Sequence, residues 1–141
     1  MATLLLVPTP LGNLGDLSQR VSEALIAAEV VACEDTRVTR RILSHLGSHA
    51  RLLSVREANE ASASEAVVRE LAAGRDVIYA TDAGTPGVSD PGRVLVREVL
   101  AAGHEVRALP GPSAVVTALS VSGLPADRFL FAGFLPADRK A

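Results

Sequence analysis

The feature that most restricts the fold of this chain is a repeated alternation between two kinds of segment. Short apolar, β-branched runs at residues 4–7, 30–33, 52–55, 77–81 and 106–109 are each followed by a longer stretch with helical periodicity. Continuous apolar runs of this length suit strands buried on both faces, and parallel strands need a crossover between them, usually a helix. Five strand–helix units in succession therefore predict an α/β fold, an open, five-stranded, mostly parallel sheet with helices on both faces. The helical stretches carry their own punctuation. Asp16 with Gln19 and Ser62 with Glu65 read as capping boxes, Asp90-Pro91 as a capped start, and Gly47, Gly74 and Gly103 as left-handed stops. Before Gly74, residues Val67, Val68, Leu71 and Ala72 fall on one stripe, which marks a core face. A further helix is expected from Gly111-Pro112 to Val121, and residues 129–134 read as a final extended segment.

With 141 residues the chain can bury a single core without disulfides or metal. One domain is expected over residues 1–135, and the polar residues 136–141 read as the start of a linker to a further domain. The single cysteine, Cys33, excludes an intramolecular disulfide and a multi-cysteine metal site, and it fits a reducing compartment such as the cytoplasm. His45, His49 and His104 lack ligand spacing, so no metal is expected. No apolar run reaches the roughly 18 residues of a membrane helix. A net charge of −2 argues against nucleic-acid binding by bulk positive charge, which leaves DNA unexpected and RNA open. Aromatic residues make up 3% of the chain, too few for a platform that stacks several bases. All but one of the 14 basic residues are arginine, a bias that reads as genome composition or as selection for bidentate phosphate contacts.

In open parallel sheets ligands bind beyond the carboxyl ends of the strands, so the loops leaving those ends carry the chemistry. The first, Pro8-Thr9-Pro10-Leu11-Gly12-Asn13-Leu14-Gly15, lacks the G-x-G-x-x-G pattern of a pyrophosphate turn. Its prolines remove donors and stiffen it. It suits a ligand held by carbonyls and apolar contact, or it is a rigid connection. The fourth runs from Thr81 to Gly92 and packs Gly84, Gly87, Gly92, Pro86, Pro91, Asp82 and Asp90 into one segment, far more turn chemistry than a connection requires. In the fifth, Leu109-Pro110-Gly111-Pro112-Ser113-Ala114, the Ser113 hydroxyl is either a ligand donor or a helix cap. Glu34-Asp35-Thr36-Arg37, followed by Arg40 and Arg41, sets two carboxylates at a strand end and three guanidiniums on the helix after it. The acids favour the helix dipole while the arginines oppose it, which points to a phosphate more than to a solvated face.

Together the strings Pro8-Thr9-Pro10-Leu11-Gly12-Asn13-Leu14, Glu34-Asp35-Thr36-Arg37, Asp82-Ala83-Gly84-Thr85-Pro86-Gly87-Val88-Ser89-Asp90-Pro91-Gly92, Pro110-Gly111-Pro112-Ser113-Ala114 and Phe131-Ala132-Gly133-Phe134-Leu135-Pro136 resemble the ribosomal RNA small subunit methyltransferase I family. That family sits in the tetrapyrrole methylase-like superfamily of S-adenosylmethionine-dependent methyltransferases. The resemblance extends from about residue 4 to 136 and covers the N-terminal half of the family's chain. It implies methyl transfer from S-adenosyl-L-methionine to the 2′-hydroxyl of a cytidine in 16S rRNA of the 30S subunit, by a homodimer with a second α/β domain closing the donor cleft. Carried over by position, it places donor contacts at Pro10, Leu11 and Gly12, at Asp82, Thr85, Gly87 and Val88, and at Ser113 and Ala114. Asp35 or Glu34, or water, would take the proton, with Arg37 holding an RNA phosphate. The alternatives are a tetrapyrrole C-methyltransferase and a binding or dimerisation module without catalysis.

Overall fold

A computed structural model of the chain describes residues 1–137. Its strands are β1 (Thr3–Val7), β2 (Val30–Cys33), β3 (Arg51–Ser54), β4 (Val77–Ala80) and β5 (Glu105–Ala108). Its helices are α1 (Gln19–Ala27), α2 (Thr36–Leu46), α3 (Glu60–Ala72), α4 (Arg93–Ala101) and α5 (Ala114–Ser122). The strands lie in the order β3-β2-β4-β1-β5, and all four pairings are parallel. The α/β sheet expected from the alternation is therefore present, and it is parallel throughout.

Strand alternation sorts the core into two layers. Leu4, Val30, Ala32, Val77 and Tyr79 face Val67 and Leu71 of α3 and Leu95 and Val99 of α4. Val7, Val31, Ile78 and Ala80 face Val21 and Leu25 of α1 and Ile42 and Leu43 of α2. A fully buried aliphatic side chain in such a layer contributes roughly 1.5–3 kcal/mol of transfer free energy. α5 buries no residue completely, and Val116 and Val121 stand exposed on it.

Three expected helix starts are corrected by tertiary structure. A 3-10 turn over Leu14–Asp16 absorbs Asp16, so α1 begins later and Ser18 caps it by accepting from the Val21 N–H at 3.1 Å. Gln19 bonds Glu23 instead of the helix start. α3 begins two residues before Ser62, whose hydroxyl donates to the Asn59 carbonyl rather than capping. At α4, Asp90 does not cap. Gly92 holds the cap position at φ +130, a conformation open only to glycine without strain, and the orphan donors are met from another helix. One carboxylate oxygen of Glu60, the first residue of α3, accepts from the N–H groups of Gly92 (2.9 Å), Val94 (3.1 Å) and Leu95 (3.3 Å). Residues 129–134 join no strand, and residues 138–141 of the expected linker lie outside the described residues.

Candidate active site at the carboxyl edge of the sheet

The strand order sets β4, β1 and β5 side by side, so the loops that leave them are neighbours. They are also bonded to one another. Thr9 and Gly84 exchange backbone hydrogen bonds of 3.0 and 2.9 Å, and the Thr9 hydroxyl donates to the Thr81 carbonyl. The Thr85 hydroxyl donates to the Pro112 carbonyl at 3.1 Å, which ties the β4 loop to the β5 loop. Gly84 sits at φ +77, the left-handed region that favours glycine, beside the Leu11 side chain. A Cβ on Gly111 would overlap the ring of Pro8, so the β5 loop meets the β1 loop only because that position has no side chain. The glycines and prolines read as turn chemistry serve this close approach.

Between the loops lies a cavity of about 510 Å³, lined by Leu11, Thr85, Val88, Ser113 and Ala114 among the expected contacts. A mostly apolar cleft of this size with a few convergent polar groups is the usual form of a small-molecule site. Ser113 makes no side-chain capping bond, so its hydroxyl remains available to a ligand. The other expected contacts fall elsewhere. Pro10 is buried, Gly12 is exposed, Gly87 lines a neighbouring cleft with Glu60 and Asp90, and Asp82 lines a separate acidic cavity. Sequence reasoning missed Phe129, Phe131 and Phe134, which close the cavity from the segment beyond α5. They are all three phenylalanines of the chain, and that concentration was the available signal. Ser89, also on the lining, is the non-glycine residue at positive φ (+52) among the described residues, a form of strain that clusters at ligand sites. Another cavity, of about 420 Å³, opens at the opposite edge near Thr3, Gly74 and Asp76. It lies at the amino ends of the strands, away from the loops where such sheets bind ligands.

Beside the three loops, a cavity of about 360 Å³ gathers Glu34, Asp35, Arg37, Arg56, Glu57 and Asp82. The two adjacent acids differ in state. Asp35 caps α2 through the Arg37 N–H at 2.9 Å, and its carboxylate also receives the Arg37 side chain at 3.2 and 3.0 Å. Those Arg37 bonds hold the Asp35 carboxyl below its ordinary range. Glu34 is pushed the other way, first by burial and then by Asp82, Asp90 and Asp35. Asp90 is also raised, by burial and by Asp82. Asp82 accepts from the Asp35 N–H at 3.1 Å and so anchors the β2 loop to the β4 loop. Tyr79 lies beneath this group with a buried hydroxyl that finds no partner among the described residues, and burial with the charges of Glu60, Glu34 and Asp90 keeps it protonated. No group of three or more His, Cys, Asp or Glu is placed to hold a metal among the described residues, and no helix there is long and apolar enough to cross a membrane.

A parallel sheet of this order with its ligand loops bonded across β4, β1 and β5 defines a class, and comparison with known proteins agrees. The family model for Tetrapyrrole (Corrin/Porphyrin) Methylases matches residues 3–138, and the chain belongs to that family. The chain is 48% identical over 137 residues to "Ribosomal RNA small subunit methyltransferase I" of Escherichia coli O157:H7, an alignment covering 97% of this chain and 48% of the relative. It is 50% identical over 135 residues to the protein of that name from Xylella fastidiosa strain Temecula1, covering 96% of this chain and 50% of the relative. The chain thus spans about half the length of these curated relatives. Among solved structures, uroporphyrin-III C-methyl transferase from Thermus thermophilus complexed with S-adenyl homocysteine superposes with a TM-score of 0.67 at 22% identity, covering 92% of this chain and 54% of that one. At that identity the likeness speaks for the fold alone.

Proposed function

We propose that the chain is the donor-binding half of an S-adenosyl-L-methionine-dependent methyltransferase that modifies the ribose 2′-hydroxyl of a cytidine in 16S rRNA. The observation that carries this reading is the cavity formed by three loops bonded to one another, where Leu11, Thr85, Val88, Ser113 and Ala114 converge. Its size and its mixture of apolar walls with the hydroxyls of Thr85, Ser89 and Ser113 suit a nucleoside attached to an amino acid. Relatives at 48–50% identity whose names specify ribosomal RNA support the substrate class. In this reading residues 1–135 form one domain, residues 136–141 lead to a second, and a homodimer acts on the 30S subunit in the cytoplasm. A tetrapyrrole substrate carries many carboxylates, and Glu34, Asp35, Glu57 and Asp82 beside the cavity would repel it.

The bound donor supplies a methyl group on a sulfonium, an electrophile that needs no metal. The protein must align the ribose hydroxyl and take its proton. Asp35 is a poor acceptor, because its carboxylate is engaged by Arg37 and its proton affinity is lowered. Glu34 has the raised proton affinity a general base requires, and no hydrogen bond to its carboxylate is found among the described residues. Arg37, largely exposed, retains donors for a phosphate while it fixes Asp35. Burial first, and then the neighbouring carboxylates Asp82 and Asp90, raise the proton affinity of Glu34. The test joins this chain to the C-terminal half of the Escherichia coli relative and supplies tritiated donor with 30S subunits that lack the modification. Label in an alkali-resistant dinucleotide, the mark of a blocked 2′-hydroxyl, is expected. Label on a base, or none, overturns the reading.

A further inference from the structure

The arginines divide by position. Arg37, Arg51, Arg69, Arg75, Arg97 and Arg107 are each paired with a carboxylate. Among the described residues Arg20, Arg40, Arg41, Arg56, Arg93 and Arg128 have no such partner within ion-pair distance. The unpaired set is not scattered. Arg20 and Arg93 stand in the first turns of α1 and α4, Arg40 and Arg41 follow in the second turn of α2, and Arg56 lies two residues past the end of β3. In a parallel sheet with antiparallel crossovers, strand ends and helix starts share one edge, so these residues gather at the edge that carries the site. Arg128 precedes Phe129, which returns to the same edge at the donor cavity. Arg51 and Arg75, by contrast, begin or precede strands at the far edge, where Glu70 binds both.

This arrangement opposes local stability. A guanidinium in the first turn of a helix, as in Arg20 and Arg93, faces the positive end of the dipole, and unpaired neighbours such as Arg40 and Arg41 repel one another. Among the described residues Arg37 is the one paired arginine in a first helical turn at this edge, and a genome-wide arginine bias would not otherwise gather the unpaired ones there. An anion that meets the edge would account for both features, because helix N-termini and arginines bind phosphate together. The cavity inside the rim has an acidic inner wall of half-buried Glu34, Asp35 and Asp82, while exposed Arg37 and Arg56 stand at its mouth. A phosphate is repelled from the inner wall and met by arginine at the mouth, while a neutral ribose can enter.

Resting on the proposed rRNA reading, we propose that Arg40 and Arg41 on α2 and Arg56 and Arg93 across the edge form a phosphate track for single-stranded RNA. The strand crosses the carboxyl edge with its backbone on this rim, and the acidic cavity admits only the sugar between two held phosphates. Charge then sets the register of the strand as well as its affinity.

The test measures binding of a short, mixed-sequence, fluorescein-labelled single-stranded RNA to this chain by anisotropy across a salt series. Two double variants are compared, Arg40→Ala with Arg41→Ala, and Arg69→Ala with Arg97→Ala. Both lower the net charge equally, but the second removes paired arginines from the outer faces of α3 and α4. Each phosphate contact on single-stranded RNA contributes about 0.7 to the slope of log K against log salt. The first variant should therefore lower that slope by about 1.4, and the second should leave it unchanged. Circular dichroism melts and calorimetric titration with S-adenosylmethionine show whether fold and donor site persist. Equal slopes for the two variants overturn the track and leave the rRNA reading standing. Failure of the unsubstituted chain to bind RNA at all overturns the track and the assignment of substrate contacts to this half.

Discussion

Replacing Glu60 should unfasten two helices at once, since this carboxylate begins α3 and caps α4. In Glu60→Ala the N–H groups of Gly92, Val94 and Leu95 lose their acceptor, and two of those residues, Gly92 and Leu95, are buried. An N-terminal cap is worth about 0.5–2 kcal/mol, and a carboxylate near the helix dipole about 0.3–1 kcal/mol. Glu60 is half-buried, so water replaces part of the loss. The expected destabilisation is about 2 kcal/mol, or a fall of about 6 °C in melting temperature for a domain of this size. Glu60→Gln keeps an acceptor oxygen and should lose only about 0.5 kcal/mol, the charge–dipole part. Urea denaturation followed by circular dichroism measures both. The Gly87–Pro91 stretch ends at this cap, so Glu60→Ala should also weaken donor binding. A loss below about 0.5 kcal/mol for the alanine variant, or equal losses for alanine and glutamine, would refute a cap shared between α3 and α4.

Gly111→Ala should force the β5 loop away from Pro8, at roughly 1–3 kcal/mol of overpacking, and weaken donor binding by about tenfold or more in calorimetric titration. Ser113→Ala should lower donor affinity about three- to tenfold, the worth of one hydrogen bond, with an unchanged melting curve because the hydroxyl does not cap α5. Glu34 binds its proton more tightly in the folded chain than an ordinary glutamate, so the stability linked to it is complete in acid and lost as pH rises through the folded value. Glu34→Gln should therefore raise the urea midpoint at pH 7 and give no gain below about pH 4, while methyl transfer by the chimeric enzyme loses its acidic limb.

The strands were readable because each is an uninterrupted apolar run, and all five lie within a residue or so of their expected places. The loop pairs were readable because glycine and proline mark backbone that must come close to a neighbouring loop, as Gly111 does against the Pro8 ring and Gly84 does in its bonds with Thr9. Helix starts were less so. Ser62 and Asp90 fit local capping rules, but the donors at α4 are met by Glu60 from a distant turn, and no local pattern announces a partner 32 residues away. Asp35 and Glu34 were indistinguishable as adjacent acids. Strand parity separates them, since Ala32 pairs with Tyr79 and Glu34, two residues on, continues toward the same face. The Phe129, Phe131 and Phe134 wall was hidden because that segment has neither strand pairing nor helical period.

The central claim, that the three bonded loops hold the methyl donor, is tested most directly by nuclear magnetic resonance of the 15N-labelled chain titrated with S-adenosylhomocysteine. The amide signals of Leu11, Thr85, Val88, Ser113 and Ala114 should shift together along one binding curve, while those of Thr3, Gly74 and Asp76 at the opposite edge stay fixed. Shifts centred on Thr3, Gly74 and Asp76, or a saturable titration that leaves the three loops untouched, would contradict it.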